Sequence, residues 1–225
     1  DSDEDDSSVA DEESVLDAAM TVLQPRRLNW HYRSRHPSLI AFSNTEFYQD
    51  GLIVFPSPHH EHADYGVRYR HVPEGRYQRG ASVNVPEAQA GVAAALDHMR
   101  RWPGRSLGIV TLNQAQQEVV SSEMDRLCSG NADAGSFCEK WEGTLEPLFV
   151  KNLENVQGDE RDVIFISTVY GREGPDAPLR QNFGPINKPG GHRRLNVLFT
   201  RAKFQTTVFS SMDPGEIRID EKSPW

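Results

Sequence analysis

The run SLGIVTL, residues 106 to 112, passes straight into NQAQQEVVSSEMDRL, and this junction constrains the fold more than any other stretch of the chain. A short, continuously apolar run reads as a strand buried on both faces. The segment after it places Ala115, Val119, Val120, Met124 and Leu127 on one helical stripe. A strand of that kind feeding a helix belongs to a parallel sheet whose crossover helices cover its faces. Other segments extend the pattern. PEAQAGVAAALDHMRRW puts Ala88, Val92, Leu96 and Met99 on one helical face, and Pro37 is placed to open a helix in HPSLIAFSNTEFY. GVRYRHVP, LFVKNL, RDVIFISTVYG and TTVFSS read as strands, and ESVLDAAMTVL as a short helix ended before Pro25. The predicted class is α/β, a mostly parallel sheet with helices on both faces. In such sheets ligands bind at the carboxyl ends of the strands, and the polar clusters of this chain are expected there.

Near the end of the chain, HRRLNVLFTRAK predicts a helix over 192 to 203, with Leu195, Leu198, Phe199 and Ala202 on its apolar stripe. Arg194 and Arg201 fall on the border of that stripe, while Arg193 faces solvent. GREGPDAPLRQNFGPINKPGG reads as a loop, and a surface excursion is expected near residues 129–146.

The net charge of −9 argues against a nucleic-acid partner until it is located. Residues 1 to 17 hold nine acids and no base, so the rest of the chain is neutral. Residues 1–13 are therefore expected to form an acidic disordered tail or linker, and residues 14–225 one domain. The first methionine is Met20, which points to a piece of a longer protein. No apolar run approaches the roughly 20 residues that span a bilayer, and no signal-peptide pattern opens the chain, so a cytoplasmic protein with no membrane partner is expected. Cys128 and Cys138 lack CxxC spacing, and neither a disulfide framework nor a zinc site is expected.

The polar clusters stand in a definite order. WHYRSRHP brings Tyr32, Arg33 and Arg35 together. VTLNQAQ sets Thr111, Asn113 and Gln116 between a strand and a helix N-terminus, where free backbone N–H groups favour an anion. NLENVQGDERD places Glu154, Gln157, Gly158 and Glu160 in a turn between two strands. Each alone has a structural explanation. In order, LNWHYRSRHPSLIAFSNTEFYQDGL, VKNLENVQGDERDVIFIS and RRLNVLFTRAK resemble three consecutive signatures of superfamily 1 helicases, and most closely the Upf-like branch with its large bacterial members.

The resemblance implies a RecA-like fold and ATP held between two such domains. The first of these carries the phosphate loop and the acids for Mg²⁺, and this chain has neither a GxxxxGK[ST] stretch nor an Asp-Glu pair at a strand end. It therefore looks like the second, C-terminal domain, whose partner is the first RecA-like domain of the same protein. Arg33 and Arg201 map to the two arginines that reach the γ-phosphate. Glu160 maps to the ribose-binding glutamate, Gly158 to the close backbone approach, and Tyr32 and Gln157 to the nucleotide's surroundings. Thr111, Gln116 and Asn152 map to contacts with single-stranded DNA or RNA, and Arg194 is a candidate for the same contact or for a structural role. His31 stands where the family has Gln, TLNQ where it has Thr-Pro-Tyr, Glu154 where many members have Asp, and Asn152 where they have Ser or Thr. The implied activity is that of an ATP-dependent helicase or translocase, inactive as this piece alone. Other readings are a non-catalytic nucleic-acid scaffold, a nuclease using Glu154, Asp159, Glu160 and Asp162, and a metal site at His59, His60, Glu61 and His62.

Overall fold

The computed structural model describes residues 15–218 other than Arg27 and His60, so the acidic tail expected over 1–13 lies outside the described residues. The chain divides into two compact units after Trp30. In the first, the predicted helix before Pro25 is α1 (Val15–Val22), whose Val15, Leu16 and Met20 are exposed. The two-residue strand β1 (Trp30–His31) lies at the junction.

The second unit begins with α2 (Ser38–Tyr48), which Pro37 precedes as its cap, then β2 (Ile53–Val54) and β3 (Gly66–His71). It continues with α3 (Val85–Arg101), β4 (Leu107–Thr111), α4 (Gln114–Gly130), α5 (Ala132–Trp141) and β5 (Phe149–Asn152). It ends with β6 (Arg161–Ser167), α6 (Gly191–Phe199) and β7 (Ala202–Ser210). Five strands form one sheet in the order β3-β7-β6-β4-β5, and every pairing is parallel. The α/β reading of the sequence holds.

The period-two alternation of strand side chains divides the core in two. Leu107, Ile109, Val163 and Phe165 join Val92, Met99, Val120 and Met124 of α3 and α4 on one face. Val110, Ile164 and Ile166 join Leu39 of α2 and Leu198 of α6 on the other. Each fully buried aliphatic side chain contributes about 1.5–3 kcal/mol. This is why β4 is apolar from Leu107 to Val110 and β6 from Val163 to Ile166.

Three expectations give way to tertiary context. The excursion near 129–146 contains α5, because Asn131 ends α4 by donating to Leu127 and then caps α5 by accepting from Asp133 and Ala134. Ala134 and Phe137 are buried against α3 and α4. The antiparallel return also brings Cys128 and Cys138 together as a disulfide with Cα atoms 6.7 Å apart, a pairing the spacing did not suggest. The helix predicted over 192–203 stops at Phe199. Arg201 O accepts from Arg161 N at 3.1 Å, and Ala202 opposite Arg161 begins the strand pairing, so the backbone there belongs to the sheet.

The connection from β5 to β6 is also unusual. Parallel strands of one sheet are normally joined by a dozen or more residues, most often a helix. Here residues 153–160 carry the chain past β4 without one, held down by buried Leu153 and Val156.

Candidate functional site

The predicted site residues divide between opposite edges of the sheet. Glu160 immediately precedes β6 and Arg201 immediately precedes β7, so both stand at the amino edge. This corrects the expectation that all the clusters gather at carboxyl ends. Parallel pairing of β6 with β7 places the two residues side by side.

The segment after β1 docks there. Arg35 N donates to Lys203 O at 2.7 Å and Arg33 Nη1 to Thr200 O at 3.4 Å. His31 shapes the turn: its Nε2 accepts from Ser34 N at 3.1 Å and lies 2.8 Å from Ser34 Oγ. An accepting Nε2 places the ring proton on Nδ1. Burial, helped by the charge of Arg33, lowers the His31 pKa and keeps the ring neutral.

Arg33 Nε then lies 2.9 Å from Glu160 Oε2, with both side chains more than a third exposed. Arg201 is held differently. Its Nε donates to Val197 O at 2.8 Å, Nη1 to Asp159 O at 3.3 Å and Nη2 to Thr200 Oγ1 at 2.9 Å. Burial pushes the Arg201 pKa below its ordinary value, and the nearby positive charge of Arg33 pushes it the same way. Two guanidinium groups and one carboxylate thus share a half-open corner. Tyr32 beside it is 79% exposed. Gln157 and Gly158 are exposed, and Gly158 has φ +90°, a conformation that favours glycine, with open space where a Cβ would stand.

Thr111, Gln116 and Asn152 lie at the carboxyl edge. Thr111 ends β4, Asn152 ends β5, and Gln116 is in the first turn of α4. All three are buried. Thr111 Oγ1 donates to Asn113 O at 2.7 Å, and Asn152 Oδ1 accepts from Glu154 N and Asn155 N. Gln116 accepts from Asn84 N and donates to Asn84 O and Ser167 Oγ. Arg194 is half-buried early in α6 and donates to Pro185 O and Pro189 O, both at 3.3 Å. Its helix runs back from this edge, so Arg194 and Arg201 belong to different ends.

The acids of the nuclease reading have separate partners. Asp159 pairs with Lys151 at 2.6 Å, and Asp162 accepts from Ser106 N at 3.0 Å. Of the proposed histidine site, His60 lies outside the described residues. His59 stacks on Tyr65 at 4.4 Å and His62 pairs with Asp64 at 3.7 Å. Among the described residues no group of three or more His, Cys, Asp or Glu could hold a metal ion, and no helix is long and apolar enough to cross a membrane.

The sequence model of the AAA domain family AAA_12 matches residues 12–213, most of the chain. The chain belongs to that family. Uncharacterized ATP-dependent helicase MG140 of Mycoplasma genitalium is 35% identical over 189 residues, covering 82% of this chain and 16% of that protein. Its homolog in Mycoplasma pneumoniae is 35% identical over 187 residues with the same coverage. The AAA domain therefore spans 16% of the length of these curated relatives. Together they bear out the resemblance to superfamily 1 helicases that the three motifs carried. A solved structure described as the C-terminal domain of a possible DNA helicase from Lactobacillus plantarum WCFS1 is 15% identical, with a TM-score of 0.38, and covers 84% of this chain and 94% of that one.

Two groups of polar residues in this AAA domain escaped the motif reading. Lys203 lies between Glu146, which it contacts directly, and Glu160 Oε1 at 3.5 Å, so it braces the carboxylate that Arg33 holds. Its position in TRAK beside Arg201 was the available signal. Glu87 is wholly buried at the carboxyl edge and accepts from Val169 N at 2.6 Å, Ser167 Oγ at 2.7 Å and Ser211 N at 3.2 Å. NVPE has the spacing of a capping box, and Asn84 does accept from Glu87 N at 3.4 Å. The glutamate side chain then turns to the sheet, and Gln116 takes the Asn84 N–H in its place.

Proposed function

We propose that this domain is the second, C-terminal RecA-like motor domain of an ATP-dependent helicase or translocase that moves on single-stranded DNA or RNA. The observation that carries this reading is the meeting of Arg33, Glu160 and Arg201 in one half-open corner, from three segments far apart in sequence. The donor set fits a nucleotide. Two fixed planar cations suit the phosphate oxygens, and a carboxylate accepts from ribose hydroxyls. ATP, bound with Mg²⁺ chiefly by the first RecA-like domain, supplies the phosphoanhydride bond.

Arg33 and Arg201 face the charge that develops on the transferred phosphoryl group. The Arg33–Glu160 pair is exposed enough to be worth about 0–1 kcal/mol. It opens at little cost, so Arg33 can turn to a phosphate while Glu160, braced by Lys203, turns to a ribose. Arg201 is already fixed by three hydrogen bonds. Tyr32, Gln157 and Gly158 complete the nucleotide side. At the other edge Thr111, Gln116, Asn152 and Arg194 order the backbone that grips a strand through phosphate and sugar, without reading sequence. Closing and opening of the interdomain cleft alternates that grip.

The test is turnover in the complete protein. Arg33→Ala and Arg201→Ala should abolish ATP hydrolysis while nucleotide binding weakens only modestly. Near-normal phosphate release by either variant removes the assignment.

A further inference from the structure

The carboxyl edge holds a second feature that the motifs do not cover. Tyr77, Arg79, Tyr170, Glu173, Arg180 and Asn182 line an open cleft of about 280 Å³. Tyr170 follows β6 by three residues, so the cleft opens at the end of the sheet where Thr111 and Asn152 stand. Its wall is fixed. The Tyr77 and Tyr170 rings lie 5.4 Å apart, and a Cβ on Gly184, which has φ +57°, would collide with the Tyr170 hydroxyl.

Donors outnumber acceptors in this cleft. Arg79 Nε is 3.0 Å from Glu173 Oε1, and Arg180 Nε reaches the same oxygen at 4.0 Å, so two cations share one carboxylate. Among the described residues the Arg79 side chain makes no other hydrogen bond, and the Arg180 guanidinium makes none. Asn182 uses Oδ1 to accept from Gly184 N at 3.2 Å, which leaves its amide donors unassigned. An excess of one positive charge, several uncommitted N–H groups and aromatic walls fit an anion rich in acceptor oxygens next to a planar ring. Phosphate groups on successive nucleotides have that chemistry, and base–aromatic contact is tolerant of sequence.

We propose that this cleft is a binding site for the phosphodiester backbone of single-stranded nucleic acid, with Arg79 and Arg180 as its phosphate ligands and Glu173 as a competing anion that the strand displaces. The proposal rests on the reading of this domain as a strand-gripping motor. It adds a site to that grip that depends on none of the motif residues.

The experiment is a titration of the complete protein with a fluorescent oligothymidylate over a range of salt concentrations. Each phosphate contact on a single strand contributes about 0.7 to the slope of log K against log salt, so Arg79→Gln with Arg180→Gln should reduce it by about 1.4. Glu173→Gln should do the opposite, tightening binding severalfold, which a merely structural ion pair would not do. Thermal melting of each variant checks that it is folded, and Glu173→Gln, on an exposed side chain, carries the test even where the double variant fails to fold. An unchanged slope in a folded double variant, or no tightening in Glu173→Gln, overturns the site while leaving the motor reading intact. A wild-type protein that binds no single strand at all overturns both.

Discussion

Arg33 Nε and Glu160 Oε2 lie 2.9 Å apart, so the residue assigned to the γ-phosphate and the residue assigned to the ribose are paired with each other. Nucleotide binding at this corner would exchange one partner for another, and the two side chains should respond differently to substitution.

Arg33→Ala and Arg201→Ala are each expected to lower kcat by about 10³ to 10⁵ in the complete protein, or about 4–7 kcal/mol. The double variant should fall little further than either single one, because residues acting on one developing charge are not additive. Single-turnover phosphate release measures this, and a double variant whose loss equals the product of the two single losses would contradict a shared role.

Glu160→Gln is expected to raise KM for ATP more than it lowers kcat, and to raise it more for ATP than for 2′-deoxyATP. Lys203→Met should show the same pattern more weakly, since Lys203 approaches Glu160 at 3.5 Å and acts only through it. Equal effects on both nucleotides would detach Glu160 from the ribose.

Glu87 predicts a pH dependence of stability. Burial outweighs the hydrogen bonds it accepts and raises its pKa from 4.5 to about 7. A group whose folded value is raised contributes stability that is fully present below about pH 4.5 and is lost as the pH rises through about 7. At about 1.4 kcal/mol per pH unit, that loss is about 3 kcal/mol. Denaturant titrations from about pH 4.5 to 7.5 should show the wild type losing that much more than Glu87→Gln over the interval. Parallel curves would refute it.

Gly158 and Gly184 both have positive φ, but only Gly184 lacks room for a side chain. Gly158→Ala should cost about 1 kcal/mol from the backbone alone. Gly184→Ala adds a collision with the Tyr170 hydroxyl and should lower the melting temperature distinctly further.

The isolated chain should release no phosphate from ATP, because the residues proposed to cradle the triphosphate and Mg²⁺ belong to another domain. Steady hydrolysis by the pure chain, abolished by Arg201→Ala, would require a complete site within these residues.

The strands and long helices were legible because local period and burial agree, as in β4 followed by α4. Asn113 was placed between strand and helix, and there it caps α4 by accepting from Gln116 N at 2.8 Å. The end of α6 was not. Leu195, Leu198, Phe199 and Ala202 keep helical spacing, but the last of these is buried by pairing with Arg161, a contact decided far away in sequence. α5 was hidden by its glycine and polar content, and the Asn131 cap together with packing of Ala134 and Phe137 makes it a helix. At the site, the motifs named the residues without their edge of the sheet. They also passed over Glu87, Lys203 and Glu146, whose roles come from partners supplied by other elements.

The connection through residues 153–160 begins at Asn152 on one edge and ends at Glu160 on the other. No intervening helix can swing or bend to absorb displacement, and Leu153 and Val156 pin its course against the sheet. A shift of Glu160 on exchanging Arg33 for a nucleotide would be taken up at Asn152, or else would pull those two side chains out of a close-packed interior. The segment would then work as a gear with little backlash, in which a small stroke at one rim of the sheet is delivered at the opposite rim nearly undiminished.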